Sequence, residues 1–268
     1  MKYRIALIFA LVVLESACTC WADLVGYWSF NNFDAPGYDD SGNGNYATLI
    51  DATWVSGGNV GGALDFNGTT SRSIVSDSAL WSTISANRAF TIDVLFKIDS
   101  LPENLPNSVC PIIAKWGPYD DHDDEWALFF RTDTRTLGFW INSSTAHNSP
   151  NTILVSQNAL SLEAWYHVVA TWNGSTQEAA LYLDDTIVDF TDSAVGAIAD
   201  TSQDLAFGYG HFWISTYPAY FDGTIDEVKI YNHVAPIPGA ILLGGIGLGL
   251  AAWKLHKRRI REAHIGGR

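Results

Sequence analysis

Cysteine is almost absent from this 268-residue chain: there are three, and two of them, Cys18 and Cys20, lie in an N-terminal leader. Once that leader is removed only Cys110 remains, so no intrachain disulfide can hold the fold and the core must do so. Cys110 sits beside Pro111 and ahead of Ile112 and Ile113, a setting that reads as a buried small hydrophobe rather than a nucleophile. Basic residues are scarce between Asp23 and Ala235, where 7 Lys and Arg face 27 Asp and Glu, a net charge of −20 against −14 for the whole chain. Such an acidic body repels phosphate backbones, which excludes nucleic acid and leaves calcium, cationic surfaces and neutral glycans as partners. A Gly-x-Ser-x-Gly elbow and a His-Glu-x-x-His metal motif are both missing, which removes two common hydrolase chemistries. Missing too are a linker-like tract, an internal repeat and any long 3.6-residue hydrophobic period outside the termini, so a helical body is excluded.

The two ends carry what the body lacks, apolar runs beside positive charge. Met1-Lys2-Tyr3-Arg4 is cationic and Ile5 to Leu14 is unbroken apolar sequence, the pattern of a secretory signal peptide. Cys20 and Ala22 flank Trp21 as small residues should at a cleavage site, which leaves Asp23 as the mature start. The rival reading is lipid attachment at Cys18, after Ser16-Ala17, although Glu15 fits an apolar lipobox poorly. At the other end Gly239 to Trp253 is apolar and is followed by Lys254, Lys257, Arg258, Arg259 and Arg261. At about 1.5 Å per residue this helix reaches about 22 Å, short of the roughly 30 Å hydrocarbon core. It would span only by thinning the bilayer or recruiting the residues from Val234 to Pro238. Five cations directly after the run oppose the competing reading, a buried C-terminal helix.

The order Pro236-Ile237-Pro238-Gly239, apolar stretch, basic end resembles the PEP-CTERM sorting signal of bacterial exported proteins, with Ile237 where that signal has glutamate. The resemblance implies a sorting motif at Pro236, Pro238 and Gly239, an exosortase-type processing enzyme as partner, and transient membrane anchoring through the C-terminal helix. The expected organisation is a signal peptide over 1–22, a body over 23–233 and a sorting segment over 234–268, with the apolar helix at 239–253 and the basic end at 254–268. The body is then exported to the cell envelope or surface.

Within the body, Phe90, Ile92, Val94, Phe96 and Ile98 alternate with more polar positions, which predicts a strand with one face in a core. Similar runs occur at Leu24 to Phe30, Gly62 to Phe66, Glu125 to Arg131, Thr136 to Ile141, Trp165 to Trp172, Glu178 to Leu183, Leu205 to Tyr209 and Thr224 to Tyr231. Ser41-Gly42-Asn43-Gly44, Asn67-Gly68, Asn173-Gly174 and Asp184-Asp185 punctuate them as turns. The expectation is an all-β sandwich of about a dozen strands, with Trp28, Phe30, Trp140, Trp165 and Trp172 in its core.

Five strings in order then resemble a known family. They are Gly26-Tyr27-Trp28-Ser29-Phe30, Asp40 to Asn45, Gly61-Gly62-Ala63-Leu64-Asp65-Phe66, Trp165-Tyr166-His167-Val168, and Phe221 through Tyr231. Together they resemble the laminin G-like domains of the concanavalin A-like fold. The resemblance implies a two-sheet antiparallel jelly roll whose loops often bind calcium and sometimes carbohydrate, usually without catalysis.

Calcium takes six to eight oxygens from carboxylates, amides and carbonyls, and Asp40, Asn43 and Asn45 offer these in one glycine-rich loop. In the layout that the resemblance implies, the first and last strands lie close, so Asp226 completes the shell. The competing reading is that Asp40 and Asn45 only stabilise turns through their own backbone. A denser acidic run, Asp120, Asp121, Asp123, Asp124 and Glu125 around His122, lacks EF-hand spacing and reads as a solvated loop. Glycosidases need two carboxylates about 5 to 9 Å apart, whereas Asp226 and Glu227, adjacent on a strand, are expected to point to opposite faces. Nor is there the Glu-x-Asp-x-x-Glu pattern of concanavalin A-like glycosidases, so no enzyme is expected.

The best binding signal is the aromatic stretch from Tyr209 to Phe221, in which Trp213, Tyr217, Tyr220 and His211 are the candidate ligand contacts. The alternative is that this loop buries its rings under the sandwich. The expected function is therefore a noncatalytic surface binding module, stabilised by calcium and taking a glycan or surface polymer. An adhesive protein contacting other surface proteins is the second reading, and a glycan hydrolase the third.

Overall fold

The computed structural model describes residues 24–101, 108–117, 124–143, 151–210 and 218–235. The signal peptide, the sorting segment with Pro236, Pro238 and Gly239, the contacts His211, Trp213 and Tyr217, and residues 120–123 of the acidic run lie outside the described residues.

In chain order the first elements are β1 (Leu24–Trp28), β2 (Ala47–Ile50), β3 (Thr53–Val55), β4 (Ala63–Asn67), β5 (Arg72–Val75), α1 (Ser82–Asn87) and β6 (Ala89–Ile98). There follow β7 (Val109–Trp116), β8 (Asp124–Arg131), β9 (Thr136–Asn142), β10 (Asn151–Val155), β11 (Trp165–Asn173), β12 (Glu178–Leu183) and β13 (Thr186–Thr191). The last are β14 (Leu205–Phe207), β15 (Tyr209–Gly210), β16 (Ala219–Tyr220) and β17 (Asp222–Tyr231). One sheet has the order β13-β12-β11-β6-β17-β4-β3, with β1 also on β17; the other has the order β10-β9-β8-β7-β14-β5-β2. Every strand pair within them is antiparallel. The architecture is thus the expected two-sheet antiparallel, jelly-roll-like sandwich. The six-residue helix α1 was not anticipated, and it ends on Arg88 in the left-handed conformation (φ 55°).

The core lies between the sheets. Alternate residues of β6 from Phe90 to Ile98 are buried there, as the period-2 pattern requires. Phe90 is its aromatic hub, within 5.3 to 5.9 Å of Trp126, Phe139 and Trp172. Trp28, Phe30 and Trp172 join this core, and Trp140 is buried in a second cluster on the outer side of β7, β8 and β9. Trp165 departs from expectation: it is only partly buried, because it pairs with Lys97 on the outward face of its sheet. Cys110 is buried in the core, and burial raises its thiol pKa, which keeps it unreactive.

Strand β7 escaped the sequence pattern because Pro111 interrupts it. Proline is tolerated in this central strand because the ladder bulges between Pro111 and Ile113. Glu125 was expected in a solvated loop and is instead buried. It accepts from Lys115 Nζ at 2.6 Å and from Thr201 N and Oγ1, both at 2.8 Å. Lys115, itself buried, also meets Asp77 at 3.1 Å. Burial raises the Glu125 pKa while the Lys115 ammonium pulls it back.

Candidate functional site

The closing strand organises the site. Over Asp222–Ile225, β17 pairs with β4, and over Val228–Tyr231 it pairs with β1. Between these partners the ladder with β6 bulges, and Glu227 takes a left-handed conformation (φ 50°). A bulge breaks side-chain alternation. Asp226 pairs with Leu95 and Lys229 with Asp93, both on the outer face, while Val228 is in the core. Glu227 also turns outward, since its Oε2 accepts from Tyr27 Oη at 2.8 Å and from Lys229 Nζ at 2.9 Å. The expectation that Asp226 and Glu227 face opposite ways is therefore wrong, because it assumed a strand without a bulge.

Asp226 fills the gap where β1 ends and β4 begins. It is fully buried, and its Oδ2 accepts from Val60 N at 2.8 Å. The loop before β4 approaches so closely that a Cβ on Gly58 would lie 2.9 Å from that oxygen. Its other oxygen, Oδ1, is buried without a well-aligned donor, although the backbone N–H groups of Asn59 and Glu227 also lie near the carboxylate. Burial pushes the Asp226 pKa up to about 6; the Val60 N–H works against this and the Glu227 carboxylate adds to it. Tyr27 is raised as well, by burial first, then by its bond to Glu227, with Asp40 and Asp226 adding charge. Asp40 and Asp226 therefore both act on the neighbourhood of Tyr27.

The 39–45 loop supplies the other expected ligands. Asp40 Oδ2 accepts from Ser29 Oγ at 2.5 Å, at the end of β1. Asn43 Nδ2 donates to Leu24 O at 2.6 Å, and Asn45 Nδ2 donates to Val25 O at 2.8 Å. The amides thus fasten the loop along β1, a long-range role that differs from the local turn stabilisation set against the calcium reading. The residue that organises the loop is Asp39, which the sequence reading passed over. Buried to 1 % exposure, it accepts from the backbone N–H groups of Tyr27, Ser41 and Asn45 at 2.8 to 3.1 Å. The tandem Asp39-Asp40 was visible, but nothing local says which of two adjacent carboxylates turns inward.

The outer face continues from this junction as an ionic strip. Lys229 Nζ lies 4.8 Å from the Tyr27 ring centroid, and His167 Nε2 lies 2.9 Å from Asp93 Oδ1. The hydrogen bond to Asp93 raises the His167 pKa despite an opposing effect of burial. Among the described residues, no group of three or more His, Cys, Asp or Glu side chains is placed to hold a metal ion. A cation at the junction would have to take its remaining oxygens from backbone carbonyls, amides and water, which calcium accepts. Asp226 Oδ1, which lacks a well-aligned donor, fits such an ion.

Tyr220 is the one expected aromatic contact among the described residues. It lies on β16, which pairs with β15, and its ring is 5.4 Å from that of Tyr209. Arg72 in turn lies over the Tyr209 ring at 5.4 Å. Among the described residues, no contact joins Tyr220 to Asp40, Asn43, Asn45 or Asp226.

Comparisons with known proteins agree with this architecture. A family model described as the concanavalin A-like lectin/glucanases superfamily matches residues 67–236. No curated protein matches the chain in sequence. Among solved structures it is similar to domain 4 of AbnA, a GH43 extracellular arabinanase from Geobacillus stearothermophilus, in complex with arabinotriose. That likeness has 16% identity and a TM-score of 0.56, over 78% of this chain and 92% of that one. It is also similar to the binding domain of botulinum neurotoxin DC in complex with SialylT, at 14% identity and TM-score 0.59 over 82% of this chain. A third is the binding domain of Paraclostridial Mosquitocidal Protein 1, at 14% identity and TM-score 0.61 over 80% of this chain. The chain spans about half the length of each of these two toxin domains, 50% in both cases.

Proposed function

The chain belongs to the concanavalin A-like lectin/glucanases superfamily, and from that membership we propose that it is a noncatalytic, exported binding module for carbohydrate. In this reading the signal peptide delivers the body outside the cytoplasmic membrane, and the Pro236–Gly239 motif and apolar tail sort it to the envelope through an exosortase-type enzyme. The ligand is a glycan or surface polymer. Domains of this fold in an arabinanase and in neurotoxins carry arabinotriose and SialylT in the solved complexes, which supports sugar as the ligand class.

The observation that carries the noncatalytic reading is the state of the two outward carboxylates. Asp226 is fully buried against Val60 N–H, and Glu227 is held by Tyr27 and Lys229. Neither is presented to a glycosidic bond as an acid and base pair must be. Calcium belongs to the same proposal. Asp226 Oδ1 and Asp40 would hold it at the gap between β1 and β4, where it would neutralise a desolvated carboxylate and fasten the 39–45 loop.

Retardation of the mature protein in native gels containing neutral polysaccharides, together with a reducing-end assay on the same polysaccharides, tests the function. Retardation without release of reducing ends is expected, and release of reducing ends refutes it. Chelation with EDTA is expected to lower Tm; an unchanged Tm, with metal-free protein by elemental analysis, refutes the calcium part.

A further inference from the structure

We propose a sugar-stacking surface made of rings that belong neither to the ionic strip nor to the Tyr220 hairpin, on the strap from Asn31 to Tyr46 that joins β1 to β2; this rests on the carbohydrate-binding reading above. Four rings meet there in two pairs. Tyr38 and Tyr46 lie 5.4 Å apart at an interplanar angle of 45°. Phe33 stands edge-on to Trp54, with centroids 4.9 Å apart. Tyr38 is 45% exposed, Tyr46 58% and Phe33 66%. Rings this exposed contribute little to the core, in contrast to Trp28 and Phe30 beside them, which are buried to 0% and 2%.

Hydrogen bonds fasten the chain that carries Tyr38 and Tyr46, and the Trp54 ring against which Phe33 stands. Tyr38 N donates to Ala35 O at 3.0 Å, Ala47 N to Gly37 O at 2.8 Å, and Trp54 Nε1 to Phe30 O at 2.7 Å. Asn45, next to Tyr46, is fixed by Asp39 and by Val25 O. Preorganised aromatic faces bind with little loss of conformational entropy. Tyr46 directly precedes β2 and Trp54 lies on β3, the terminal strands of the two sheets, so each pair has one ring at a sheet edge. Five residues separate Phe33 from Tyr38, so a contour of at most roughly 17 Å links the two pairs. A chain of a few sugar units spans that distance.

Size and charge select the occupant. At these exposures the three open rings present on the order of 300 Å², well below the roughly 800 Å² that each partner contributes to a standard protein interface. Asp34, Asp39 and Asp40 in the strap and the net charge of −20 over residues 23–235 disfavour a polyanion. A neutral oligosaccharide stacks its apolar ring faces on such side chains and places its hydroxyls against the neighbouring Asn and Asp groups.

The test uses affinity electrophoresis of the mature protein with a mixed-linkage β-glucan, a galactomannan and an arabinan as neutral probes, and alginate and polylysine as charged ones. Retardation by at least one neutral polysaccharide and none by alginate is expected. The Tyr38→Ala/Tyr46→Ala double variant should weaken that binding about tenfold, and Phe33→Ala less. Tyr38→Phe/Tyr46→Phe, which keeps both rings, should bind like the natural chain. Half-exposed rings leave Tm unchanged, so loss of binding is separable from misfolding. If the double Ala variant binds as well as the natural chain while Tyr220→Ala does not, the surface is overturned and the carbohydrate reading stands. If no neutral polysaccharide retards the natural chain, both fall. Retardation by polylysine alone overturns the surface in favour of a cationic partner.

Discussion

The outer faces of the two sheets differ more than the sheets themselves. On the sheet containing β6 and β17 the outer face is polar, with contacts of 2.8 to 2.9 Å within Tyr27, Glu227 and Lys229 and between Asp93 and His167. On the sheet containing β7, β8 and β9, the outer face carries Ala114, Trp116, Ala127, Phe129 and Trp140 as a second buried cluster. A strand with one wet face alternates, whereas a strand covered on both faces does not. The second half of β6 accordingly alternates between buried and half-buried, while the six residues from Glu125 to Phe130 in β8 are all buried. The first sheet thus keeps a half-wet polar face, whereas the second is covered on both faces.

The largest expected effect lies in the second sheet. Phe129→Ala should destabilise by about 3 to 5 kcal/mol, a fall in Tm of roughly 10 °C, whereas Leu95→Ala on the half-wet face should cost much less. Equal losses in thermal melts would break the contrast between the sheets. Lys115→Ala leaves Glu125 buried without its ion-pair partner and should cost about 3 kcal/mol. Lys229→Ala, a half-buried partner of Glu227, should cost less than about 1 kcal/mol. Adding Glu125→Gln should recover part of the Lys115→Ala loss, and urea titrations that show no recovery would sink the buried-pair account.

A smaller effect sharpens the role of the polar strip. At calcium concentrations about 100-fold above its dissociation constant, binding would stabilise the natural chain by about 2.7 kcal/mol. Asp226→Asn should abolish that rise in Tm; a rise that persists would place the ion elsewhere. The smallest effect concerns His167, whose pKa is raised by Asp93. Because the folded value lies above the unfolded one, the pair's contribution is fully present below about pH 6.5 and is lost as pH rises through the folded value. Its size should be about 0.5 kcal/mol, and the pH dependence should shrink in Asp93→Asn, leaving the smaller part due to Asp184 and Asp185. An Asp93→Asn melt with the same pH dependence would show that another group titrates.

Much of the sandwich was legible in the chain. The alternation of Phe90 to Ile98 and the run from Thr224 to Tyr231 both became strands within their expected ranges. The second sheet was harder, because Pro111 disguises β7 and because β2, β3 and β5 have only three or four residues each. In the candidate site, the closing strand was correctly expected beside β1, yet the relation of Asp226 to Glu227 was misjudged. A bulge depends on where β17 exchanges β4 for β1, and no local pattern records that exchange. The exposed rings of Phe33, Tyr38 and Tyr46 were overlooked for a similar reason, since burial is a property of neighbours distant in sequence.

The sequence by itself determined the class of fold, through side-chain period and turn chemistry, and the balance of charge, through composition. Both are sums over local choices. The tertiary structure alone decided which of Asp39 and Asp40 turned inward and that Asp226 and Glu227 share a face. It also decided which aromatics stayed in water. Each of these depends on how strands remote in the chain register against one another, and burial and bulging are properties of that register.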